Sequence, residues 1–200
     1  MAIYGILEGG NLIAQFATPL TLRSNKPMYG SESLSLSRRP VGRTAQRWEL
    51  DTRLVPQSYD AEELFVNLVV NGHHEPVYIT VPQNYGAERK LIKSLTQPTA
   101  QGSVNTSLIT VSGNTGTLPK GTLIKFTGLD KVYMLTNERQ GNGTVGIYPE
   151  LRADVSAGTA FQYTTDVIMT CYYDTETISG MVYVDGILMD VGTVRLVERV

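Results

Sequence analysis

Histidine is the first residue type to examine for catalysis or metal binding, and the chain has two, His73 and His74. They are adjacent in sequence and follow an Asn-Gly stop. Neighbouring side chains rarely converge on one ion, and no cysteine lies near them. A pair of loop histidines is the plain alternative. The single cysteine, Cys171, sits inside the apolar run VIMTCYY. It has no partner for an intrachain disulfide and reads as a small buried hydrophobe in a protein made in a reducing compartment. A Cys–His nucleophile pair is therefore not expected.

Paired carboxylates occur at Glu62–Glu63 and at Asp174 with Glu176. The first pair falls in the opening turn of a predicted helix, where negative charge suits the dipole. The second falls in a polar turn. Neither has the apolar surroundings that raise a carboxyl pKa for acid catalysis. QGNGTVG is glycine-rich, but it lies between strand patterns and offers a phosphate no helix start. No catalytic residue, no metal ligand set and no cofactor is expected.

Charge is patterned more than abundant. The formal net charge is −2, so no general affinity for nucleic acid or anionic membrane is implied. SRRPVGRTAQR holds Arg38, Arg39, Arg43 and Arg47 without an acid. It lacks the interleaved aromatics of a nucleic-acid patch. Either a solvated loop or a protein–protein contact fits, and arginine is favoured at interfaces. From Gly146 onward eight acidic residues face three basic ones. The two regions are candidates to meet head-to-tail on neighbouring copies.

The elements that would position these residues are mostly strands. QRWELDTRL alternates, with Trp48, Leu50, Thr52 and Leu54 on one face and Arg47, Glu49, Asp51 and Arg53 on the other. EPVYITV is a second strand. Between them SYDAEELFVNLVVNG predicts a capped helix with Leu64, Phe65, Leu68 and Val69 as its apolar stripe. ERKLIKSL reads as a short helix or a last strand, and TQPTAQG as a linker. SLITVSG, TLIKFTG, VYMLTNE, TVGIYPEL and SAGTAFQY then give five short strands at hairpin spacing, a small closed or nearly closed barrel. DVIMTCYY, a longer MVYVDGILMD strand kinked at Gly186, and TVRLVERV return to partner the strands before residue 90. The expectation is a mainly β protein: a discontinuous β-domain with one packed helix, residues 1–97 and 164–200, and an inserted barrel, residues 98–163. No apolar run approaches the ~20 residues that span a bilayer as a helix, and the opening MAIYGILEGG is a poor secretory signal.

TAQRWEL, the long run PKGTLIKFTGLDKVYMLTNERQGNGTVGIYPEL and the final TVRLVERV carry a resemblance. The chain resembles the distal tail proteins of long-tailed bacteriophages, in the form whose β-domain carries an inserted barrel of the oligonucleotide/oligosaccharide-binding (OB) type. About half the chain takes part; the first forty residues do not. The resemblance implies a non-enzymatic virion protein, assembled in the host cytoplasm and resident in the tail. It implies a ring, typically a hexamer, between the tail tube protein and a baseplate hub or fibre protein. DNA would pass through the lumen without specific binding, and no membrane is involved. Arg38, Arg39, Arg43 and Arg47 become candidate subunit-interface residues. Tyr133 and Tyr148 are candidate barrel-surface aromatics that could stack on sugars, with packing as their plain alternative. The competing expectations are a module that recognises a host-surface polysaccharide and another ring protein of a contractile-tailed phage.

Overall fold

The computed structural model describes residues 4–32, 38–42, 45–56, 75–164, 167–174, 182–185, 187–190 and 192–200. The chain is mainly β and its described strands build two rings of hydrogen-bonded strands. The first uses β1 (Gly5–Glu8), β2 (Asn11–Phe16), β6 (Arg47–Pro56), β7 (Val77–Thr80), β16 (Ile168–Tyr173) and β19 (Thr193–Glu198). Their order is β19-β16-β7-β1-β2-β6, and β6 pairs again with β19, so the circuit closes. The ten-residue β6 makes this possible. Its last residues pair with β2, Phe16 opposite Leu54. Its first half pairs on that side with β3 (Thr21–Asn25), while β19 lies along its other edge, with Leu196 opposite Leu50.

The alternation in β6 decides which face is core. Trp48, Leu50, Thr52 and Leu54 are buried, and Arg47 and Arg53 are exposed, as period two requires. Val77 and Ile79, Met169 and Cys171, and Val194 and Leu196 join the same core. Cys171 is buried there as a free thiol.

The second ring is a closed barrel of six antiparallel strands in the order β11-β12-β14-β9-β8-β15. These are β8 (Thr99–Gly102), β9 (Leu108–Ser112), β11 (Leu123–Phe126), β12 (Val132–Leu135), β14 (Gly143–Tyr148) and β15 (Val155–Gln162). Five match the barrel strands read from sequence. The sixth, β8, overturns the linker reading of TQPTAQG. Only Ala100 of that strand is buried, so it carries almost no hydrophobic signal, yet β9 and β15 pair with it on both sides. At Gly102 a Cβ would stand 2.6 Å from Leu151 Cδ1, so any larger residue there would have to push the Leu151 side chain aside.

One strand belongs to both cores. Tyr133 and Leu135 of β12 point into the barrel; Val132, with Leu123 of β11, packs into the first core. Burial on both faces explains why VYML reads as a continuous apolar run.

Between the rings runs α1 (Tyr85–Lys90), capped by Asn84, whose side chain accepts from Gly86 N at 2.9 Å. ERKLIKSL is thus the end of a short helix followed by extended chain, where Ile92 bridges Thr117. Thr117 lies in β10 (Thr117–Leu118), which pairs with β13 (Arg139–Gln140). Beside it a Cβ on Gly116 would meet the Ile92 carbonyl oxygen at 1.9 Å. Both partners there are backbone, so Gly116→Ala is expected to cost about 2 kcal/mol, read as a lower urea midpoint.

Two hairpins complete the set. β4 (Met28–Glu32) pairs with β5 (Arg38–Gly42). β17 (Val182–Val184) pairs with β18 (Ile187–Asp190). The second corrects the single kinked strand read in MVYVDGILMD: Asp185 takes φ 51°, a turn conformation, and the chain reverses. The predicted helix SYDAEELFVNLVVNG, with Glu62 and Glu63, and the pair His73–His74 lie outside the described residues, as do Arg43, Glu176 and Gly186.

Candidate functional site

The sequence-derived site residues do not form one cluster. Arg38 and Arg39 lie in β5, paired with Glu32 and Ser31 of the self-contained hairpin. Arg47 opens β6, is exposed, and its Nε donates to Glu49 Oε1 at 2.9 Å. Tyr133 is 0% exposed. Its ring lies 5.4 Å from that of Phe126 and its hydroxyl accepts from Arg152 N at 3.3 Å. It is therefore a core residue and offers no stacking face, because β12 turns it inward. Tyr148 is half-buried, edge-on to Trp48 at 6.4 Å, with its hydroxyl 3.0 Å from Ser24 Oγ. It too is engaged by its own chain.

The concentration of buried polar chemistry is elsewhere, at the junction between the rings. Glu198, at an inward position of β19, is buried. Its Oε2 accepts from Trp48 N at 2.9 Å and its Oε1 from Val132 N at 2.8 Å. Lys131 Nζ, also buried, forms an ion pair with the same carboxylate and lies 5.9 Å from the Trp48 ring centre. Trp48 Nε1 donates in turn to Val132 O at 2.9 Å. One carboxylate thus ties β6, β19 and the start of β12 together. Gln83 repeats the device: its amide takes Leu123 N and donates to Leu123 O, both at 2.9 Å, much as a neighbouring strand would. Arg152 of the barrel donates to Gln46 O at 2.7 Å.

Burial pulls the Lys131 ammonium down to about 8, with the Glu198 charge opposing that shift. The consequence for stability has a definite sign. An unfolded lysine holds its proton to about pH 10.4, so the unfolded chain binds more protons than the folded one across the window from about 8 upward. Stability contributed by this group rises with pH there. Burial pushes the Cys171 thiol up, which acts in the opposite direction once an unfolded thiol ionises near ~8.5. The difference between unsubstituted protein and Lys131→Met isolates the lysine. Urea melts at pH 7.5 and 9.5 should show that difference shifting in favour of the unsubstituted chain at the higher pH. A constant difference would contradict the assignment.

Other ionised groups are spent on the first ring. Asp51 pairs with Arg23 and, at 2.7 Å, with Arg195, which also lies 3.7 Å from Asp174. Hydrogen bonds from Asn25 and Arg47 outweigh burial and hold the Glu49 carboxyl below its usual range. Among the described residues, no three His, Cys, Asp or Glu side chains are placed to share a metal ion. A cavity of about 770 Å³ opens on the barrel, lined by Gln101, Ser103, Thr106, Leu108, Thr110 and Asp154 among others; no aromatic ring lines it.

Sequence reading missed the junction. Lys131 and Arg152 carry no pattern. Glu198 does: in TVRLVERV it occupies the phase of Val194 and Leu196, an acid at an inward position of an alternating strand. The fold and junction define a mainly β protein of two strand rings joined by buried hydrogen bonds. No family model and no curated protein sequence matches the chain.

Proposed function

We propose that this chain is a non-enzymatic virion structural protein, a ring-forming distal tail or baseplate component that connects a bacteriophage tail tube to its hub or fibres. The barrel is read as an OB-type module with one strand beyond the usual five. The observation that carries the reading is a pair of hairpins, β4–β5 and β17–β18, that pair with no other strand among the described residues. The first carries Arg38 and Arg39; the second carries Asp185 and Asp190. Unpaired strand edges are hazards in a monomer and useful in a ring, where neighbours cover them. Opposite charges on two hairpins suit a head-to-tail contact that closes by rotation. The joined barrels supply the stiffness such a ring needs. The proposed partners are other copies of the chain, six in the leading form, the tail tube protein and a hub or fibre protein; DNA passes through the lumen without specific binding.

Negative-stain microscopy of the purified protein is expected to show six-fold or three-fold rings. Particles that stay solitary at high concentration, even with tail-tube and hub proteins added, would overturn the reading. A second reading, recognition of a host-surface polysaccharide, has the hydroxyl-lined cavity in its favour. Burial of Tyr133 removes its stacking platform, and a glycan array without hits would remove it altogether.

A further inference from the structure

The second barrel presents two apolar patches of opposite charge at opposite ends. The first is the connector after α1. Leu95 is 93% exposed and Ile92 60%. Lys90 and Lys93, their neighbours along the chain, are exposed. The acid of this segment, Glu88, is turned away, accepting from Tyr4 Oη at 2.8 Å. This backbone is pinned. Ile92 exchanges two hydrogen bonds with Thr117, at 3.2 and 2.9 Å, and Leu95 N donates to Thr115 Oγ1 at 2.9 Å. The leucine is held out by ordered chain.

The second patch adjoins the large cavity, which Leu108 and Asp154 line. Leu108 is 58% exposed and Val104 41%. Asp154 is exposed and its Oδ1 accepts from Val104 N at 2.7 Å; Glu150 is exposed on the adjoining loop. Two backbone hydrogen bonds tie those loops together, Leu151 N to Thr106 O at 2.9 Å and Asn105 N to Leu151 O at 2.7 Å. The basic residue of the region, Arg152, reaches instead to Gln46 O.

Position decides how the patches can meet. In the β8–β9 ladder Thr99 faces Ser112 at one end, and Gly102 and Leu108 close the other. Leu95 bonds just beyond the Ser112 end, so β9, roughly 14 Å of strand, separates the patches. They hold four of the seven exposed large hydrophobics among the described residues, so this axis of the barrel is where apolar surface lies open. Neither patch can pair with its own like, and patches at opposite ends of the barrel fit a heterologous contact.

We propose that the barrel carries a head-to-tail contact between copies of this chain, in which Ile92, Leu95, Lys90 and Lys93 seat against Val104, Leu108, Glu150 and Asp154 of the next copy. The occupant is a second copy because this chain supplies both complementary halves. The inference rests on the assembly reading above and adds to it a contact made by the barrels.

The test uses the full chain and two variants, Leu95→Asp and Leu108→Asp, read by native mass spectrometry and sedimentation. Each variant should assemble at least about tenfold more weakly than the unsubstituted protein, while its melting temperature stays within about 2 °C because the side chains are exposed. An equimolar mixture should form one-to-one hetero-pairs in excess of homo-pairs, since each variant keeps one intact patch. Raising the salt should weaken that pairing. Assembly of both variants like the unsubstituted protein would overturn this contact and leave the ring reading standing. Variants that weaken without pairing in the mixture would overturn the head-to-tail geometry. An unsubstituted protein monomeric at every concentration would overturn both.

Discussion

Replacing Glu198 by leucine is expected to destabilise the folded chain by about 3–5 kcal/mol. Three donors lose their acceptor at once: Trp48 N, Val132 N and Lys131 Nζ. The ammonium is then left buried without a counter-charge, which is the costly way to break a buried pair. The converse substitution, Lys131→Met, should cost less, about 1–2 kcal/mol. There the carboxylate keeps two backbone N–H bonds, and methionine refills most of the lysine's volume. The asymmetry is the informative part. Urea denaturation of both variants at pH 7 measures it, and equal losses would mean that the two backbone donors contribute little to holding Glu198.

Trp48→Ala should cost a similar amount, about 3–5 kcal/mol. The ring is buried in the first core, packs edge-on against Tyr148, and spends its Nε1 donor on Val132 O. Trp48→Phe separates the two contributions. It keeps an aromatic ring but leaves a buried carbonyl without that donor, for about 1–3 kcal/mol. Circular dichroism should follow both melts, since Trp48 is the chain's one tryptophan and its fluorescence goes with it. A phenylalanine variant as stable as the parent would show that the cross-ring hydrogen bond adds nothing beyond packing.

Local periodicity made several elements legible. β6 was readable because Trp48, Leu50, Thr52 and Leu54 repeat with period two against charged neighbours, and the structure buries those four. Five barrel strands were readable because turn residues separate short apolar runs. β8 was not, because a strand that contributes one alanine to a core leaves no trace in hydropathy; its existence depends on edges offered by β9 and β15. MVYVDGILMD was misread because a tight reversal at Asp185 and a kink leave the same apolar pattern.

Tyr133 shows the limit most plainly. Alternation along VYML says that Tyr133 and Met134 face opposite sides, but not which side is solvent. In this protein neither is: β12 lies between the barrel core and the first ring, so the tyrosine is sealed. The sequence by itself determined the strand-rich class, the phase of β6, and the segregation of arginines early and acids late, since all are properties of neighbouring residues. Only the tertiary structure decided that the first set of strands closes and that β8 completes the second, that Glu198 joins them through Lys131, Trp48 and Val132, and that Leu95 and Leu108 stand open at opposite barrel ends. Those facts depend on residues tens of positions apart in the chain, and a one-dimensional pattern carries no term for which of its segments will meet.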